Sequence, residues 1–217
     1  MKRKRLNKKR LFNFFMIIIA LVLFALVAFK VVSDLNKDNA KVEKKQLDII
    51  EPYGYKLDDR DTSTYKKYFN ELKEVLKEEP IDEEKYAELL TKLFITDFYT
   101  LDNRLTSTDI GSLEFIHEAQ VDNFILNAEE TMYKTVESDL YGERKQELPV
   151  VKEVTVESIE ETTYTYNNNE YDAYRVTASW TYKKDLGYED EGVFILMKDK
   201  DKLNVVEKVS KEEDTDE

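Results

Sequence analysis

The chain has 217 residues and a formal net charge of -13, and it contains no cysteine and one histidine. The missing thiols exclude disulfide staples, thiolate metal sites and a cysteine nucleophile. The charge is unevenly placed: residues 1–33 hold eight Lys/Arg and no acid, which leaves 25 basic against 46 acidic residues, a net of -21, for the rest. Such a remainder repels nucleic acid, because phosphate binding needs cations to replace counterions.

In chain order, residues 1–10 form a basic tail, seven of the ten being Lys or Arg. Next comes LFNFFMIIIALVLFALVAF, Leu11 to Phe29, 19 residues with one polar interruption, Asn13. As a helix it would span about 28 Å, close to the ~30 Å hydrocarbon core of a bilayer. A cleavable signal has a shorter apolar core and a small-residue exit. Ala25 and Ala28 have the wrong spacing for such an exit. Residues 11–32 are therefore expected to be a retained single-pass anchor. The basic tail places the N-terminus in the cytoplasm and the acidic remainder outside.

Residues 33–62 read as a polar stalk, helical at most to Leu47, with Ile49-Ile50 its only apolar pair. An α+β domain is expected over 63–209. Its first helix carries Tyr65, Phe69, Leu72, Val75 and Leu76 at spacings of three and four, and ends before Pro80. A second starts with Asp82 as its cap and buries a broad stripe from Tyr86 to Leu101. TSTDIGSLEFI breaks the helix and restarts it, with Thr108 or Asp109 as cap, and a further helix is expected from Gln120 to Ser138.

After Pro149 the period changes to two. In YDAYRVTASWTYK the residues Tyr174, Val176, Ala178, Trp180 and Tyr182 form a dry face, against polar Arg175, Thr177, Ser179 and Thr181. VVKEVTVESI, GVFILMK and KLNVVEKV read as three more strands, with YNNNEY, KKDLGY and KDKDK as the turns. Helices followed by closely spaced strands predict helices packed on one face of a four-stranded antiparallel sheet. Residues 210–217, SKEEDTDE, read as a disordered acidic tail.

This order resembles the cone-shaped fold of nuclear transport factor 2-like domains. Together with the basic N-terminus, the anchor, LFITDFYTLDN and the terminal LNVVEKV, it resembles bitopic proteins that use that cone outside a membrane. Those include TcpC-type conjugation proteins and the corresponding scaffold subunit of type IV secretion channels. The resemblance implies a non-catalytic scaffold with protein partners or copies of itself. It brings no catalytic set that transfers residue by residue.

No phosphate loop, dinucleotide glycine fingerprint or G-x-S-x-G elbow is present in the sequence. No catalytic, cofactor or metal residues are expected. His117 reads as a boundary histidine, and LDDRD at 57–61 lacks the Gly and terminal Glu of a calcium loop. Cone folds become enzymes when a deep pocket holds an Asp base and a Tyr donor, so Asp97, Tyr99, Asp102 and Tyr174 are the pocket candidates. Three functions stay open: a membrane-anchored scaffold, a tethered ligand-binding or enzymatic cone, and an envelope sensor that needs a cytoplasmic partner. Few Gly and Pro with much Lys, Glu, Asn and Tyr fit an AT-rich bacterial genome.

Overall fold

The structure, a computed structural model, describes residues 45–209. The expected anchor at 11–32 and the acidic tail at 210–217 lie outside the described residues. Among the described residues no helix is long and apolar enough to cross a membrane.

The chain is α+β. A hairpin of β1 (Gln46–Ile50) and β2 (Tyr55–Asp58) leads into α1 (Ser63–Val75) and α2 (Glu83–Phe98). Two single 3₁₀ turns, Leu113–Phe115 and Glu118–Gln120, precede α3 (Val121–Glu130). Four strands complete the fold: β3 (Val151–Tyr166), β4 (Asn169–Tyr182), β5 (Glu191–Asp199) and β6 (Lys202–Val209). They form one antiparallel sheet in the order β3-β4-β5-β6. Each sharp reversal has its own chemistry. Asn167 and Asn168 both take positive φ, as a two-residue turn matching strand twist requires.

The period-two reading of β4 holds: Tyr174, Val176, Ala178 and Trp180 are buried, with polar residues between them less so. These residues face α2, which packs on β3 and β4 while α1 packs on α2. Asp82 caps α2 as expected, its carboxylate accepting from Lys85 N at 2.9 Å, with Glu83 and Glu84 at the positive helix end. Thr62 does the same for α1 through Tyr65 N at 3.1 Å. The exposed edge of β3 is blunted near its start by side chains. Val151 N donates to Thr100 Oγ1 (3.1 Å), Val154 N to the Tyr68 hydroxyl (3.4 Å), and Lys152 O accepts from Thr64 Oγ1 (3.1 Å).

Three expectations are corrected. Residues 46–58, read as part of a polar stalk, form the β1–β2 hairpin, and its Ile50 and Tyr55 are core residues. Gly54, at φ 78°, closes the turn by donating its N–H to Ile50 O at 2.9 Å. The hairpin's apolar residues are few, so composition alone reads as tether. The restart after Gly111 is only the Leu113–Phe115 turn, and Ser112 precedes it instead of Thr108 or Asp109. The helix expected over 120–138 is α3 alone. Beyond Glu130, Tyr133 N bonds back to Ala128 O (2.9 Å), which swings Tyr133 inward. There its hydroxyl donates to Phe98 O (2.9 Å) and accepts from Gly111 N (3.2 Å), inside a second small core with Leu101, Ile110 and Leu148.

The hairpin is fastened to the sheet by hydroxyls. Tyr55, fully buried, donates to Leu203 O at 3.0 Å; Tyr86 donates to the Tyr55 oxygen at 2.5 Å and accepts from Leu203 N at 3.1 Å. Burial holds both phenols neutral, their pKa raised above the usual tyrosine value. Tyr55→Phe strands the Leu203 carbonyl and the Tyr86 proton, so it should destabilise the domain by about 1–3 kcal/mol in urea unfolding. A loss under about 0.5 kcal/mol would show that water replaces the lost partner.

Candidate functional site

A surface cleft of about 350 Å³ opens where the β2–α1 turn, the end of α2 and the 110–114 loop meet. Asp58, Asp61, Tyr65, Asp97, Ser112 and Glu114 line it, together with Lys56.

The β2–α1 turn is built by its own aspartates. Asp58 N donates to Asp61 Oδ2 at 2.6 Å, and Asp61 N donates to Asp58 O at 3.3 Å. Short acidic side chains suit such turns because they replace backbone partners. Tyr65, in the first turn of α1, donates to Lys56 O at 2.9 Å and lies 3.5 Å from Glu114 Oε1, which bridges β2 and the loop.

Beneath the cleft lies a buried ion pair. Asp97 is 8% exposed and Arg104 1%. Arg104 Nη2 donates to both the carboxylate and the backbone oxygen of Asp97. The other carboxylate oxygen accepts from Ser112 N and lies 3.2 Å from Ser112 Oγ, which also reaches Phe94 O at 3.0 Å. A Cβ at Gly111 would stand 2.1 Å from Arg104 Nη2, so only glycine lets the loop pass over the guanidinium. Burial opposes the arginine's charge, but Asp97, with Tyr133 and Asp109 further off, holds its pKa above the ordinary value. Flanking the site, Arg60 Nη1 donates to Asp109 Oδ2 at 2.8 Å and Asn103 O at 3.1 Å.

Asp61 is a perturbed acid of the cleft. Burial pushes its pKa up to about 6, and the charges of Asp97 and Asp58 add to that, while the Asp58 N–H and Arg104 pull the other way.

The four sequence candidates do not converge. Asp97 lines the cleft. Tyr99 is a core residue tilted against Trp180, centroids 4.5 Å apart, with its hydroxyl 3.1 Å from Glu189 Oε2. Asp102 sits exposed in a turn and offers its backbone oxygen to Arg144 Nη2 at 2.6 Å. Tyr174 belongs to a separate depression of about 430 Å³ on the sheet, with Glu161, Asp172 and Lys198. His117 precedes a 3₁₀ turn, its Nδ1 accepting from Ala119 N at 3.4 Å and its Nε2 4.0 Å from Asp199 Oδ2.

Sequence reasoning does not single out Asp58, Asp61 or Arg104 as site residues. The density of acids in LDDRD, at 57–61, is the signal that points to the first two. Among the described residues no group of three or more His, Cys, Asp or Glu is placed to hold a metal ion.

Comparison of the chain with family models, with curated proteins and with solved structures gave no match.

Proposed function

We propose that this chain is a membrane-anchored, non-catalytic interaction protein, a scaffold that meets protein partners or its own copies outside the cytoplasmic membrane. A subunit of a conjugation or secretion channel is the assembly this reading favours. The α+β domain is read here as a nuclear transport factor 2-like cone, which the helices-then-meander order supports.

One observation carries the choice of scaffold over enzyme: the space between α2 and the sheet is occupied by side chains, and a depression of about 290 Å³ lies between α3 and β6 instead. Phe94 lies 5.6 Å from Phe98, 6.1 Å from Phe124 and 5.6 Å from Phe194, centroid to centroid, and Tyr99 closes on Trp180 at 4.5 Å. A catalytic cone needs that volume for its substrate. The apolar run at Leu11–Phe29 and the basic residues before it support the anchor.

The second reading, a tethered ligand-binding or enzymatic cone, draws on the 350 Å³ cleft and its perturbed Asp61. That cleft lies at the surface, above a guanidinium already committed to Asp97.

Crosslinking the full chain in intact membranes should capture discrete oligomers or a defined partner. A chain recovered only as an uncrosslinked monomer, across reagents of different reach, would overturn the scaffold reading.

A further inference from the structure

We propose that the β2–α1 turn is an acid-set latch: proton uptake by Asp61 draws the turn onto the end of α2 and the 110–114 loop, and proton loss loosens it. This goes beyond the scaffold reading and does not depend on it.

The geometry supplies the device. Carboxylates from three separate segments face one 350 Å³ space: Asp58 and Asp61 from the turn, Asp97 from α2, and Glu114 from the loop. The cations at or beside it are Lys56, on β2, which lines it, Arg104, which is bound to Asp97, and Lys202, on β6, whose ammonium donates to Glu114 O at 2.9 Å. Tyr65 contributes a neutral hydroxyl, its pKa raised first by burial. Arg60 is turned to Asp109 and Asn103. With all four acids ionised, the like charges push the three segments apart.

A protonated Asp61 reverses this. It removes one charge and gains an O–H that can donate to a carboxylate across the cleft. Its other role survives, because Asp58 N can still donate to the remaining oxygen. The turn is also the joint between the hairpin and α1, so its state sets how firmly the hairpin is held at its base.

The sign follows from linkage. Asp61 has a folded pKa of about 6 against an ordinary value of 3.8. Its stabilising contribution is therefore complete below pH 3.8 and is lost as pH rises through about 6. The latch tightens on acidification within that window.

Hydrogen exchange on the full chain in detergent micelles tests it, with amides at 56–62 and 110–114 followed from pH 4.5 to 7.5 and corrected for intrinsic rates. In the wild type, protection of these amides should fall with rising pH, by at most about 30-fold between pH 4.5 and 7.5, the ratio that the part of the shift inside this range allows. Amides at the centre of β4 and β5 should not follow. Asp61→Asn should hold the turn at its protected level at every pH. Asp58→Asn, which deletes one like charge, should move the wild-type midpoint to lower pH. A pH-independent wild type, an Asp61→Asn profile that tracks the wild type, or an unmoved midpoint in Asp58→Asn would each overturn the latch.

Discussion

Arg104→Met should lower the unfolding free energy by about 3–5 kcal/mol. Methionine fills much of the volume of the arginine stem but supplies no charge. Asp97 then remains a largely buried carboxylate that keeps Ser112 of the loop but has lost its guanidinium. Desolvating an unpaired carboxylate is the dominant cost, larger than the packing change. The double variant Arg104→Met with Asp97→Asn should recover a large part of the loss, because the stranded charge is gone. Trp180 is the only tryptophan of the sequence and is 3% exposed, so its fluorescence in a urea titration reports the transition. A single variant within about 1 kcal/mol of wild type would mean that the pair is solvated, and that its role in seating the 110–114 loop has been overstated.

Phe94→Ala comes next, with an expected loss of about 3–5 kcal/mol. Phe94 is 3% exposed and joins three elements: it stacks on Phe98 of its own helix and meets Phe124 of α3 and Phe194 of β5. Truncation removes the transfer free energy of a ring and leaves a void among its three aromatic neighbours. Phe94→Leu should cost less, about 1–2 kcal/mol, since most of the volume stays. Both follow from the same urea titration. If alanine and leucine variants lose equal amounts, the volume that leucine keeps contributes nothing and the void is not the source of the loss.

The two predictions fall on different kinds of residue, and sequence reading fared differently with each. Phe94 belongs to an amphipathic stripe, and the alternation of Tyr174, Val176, Ala178 and Trp180 belongs to a strand; both are periodic, so α2 and β4 were legible with their buried faces. Asp82 was legible as a cap because capping is local chemistry. Arg104 was not legible. Its partner Asp97 is seven residues away, but α2 ends between them at Phe98, so no helical period relates the two, and the loop that closes over the pair depends on Gly111 and on Ser112 at φ 65°. The cleft shares that character. Its acids come from segments as far apart as Asp58 and Glu114, and only tertiary folding brings them to one space. The hairpin was obscured for another reason. Pro52 and Gly54 were visible as turn residues, but two strands of four and five residues carry too few apolar positions to establish a period.

The hydroxyl fastening between Tyr55 and Leu203 spans 148 residues of sequence. Synthesis runs from the N-terminus, so the hairpin emerges well before the strand that receives it. Until then Tyr55 and Ile50 have no permanent berth, and the nascent chain must keep them from straying. Completion of this domain is thus a late, all-at-once event, timed by the arrival of β6 rather than by the helices that precede it.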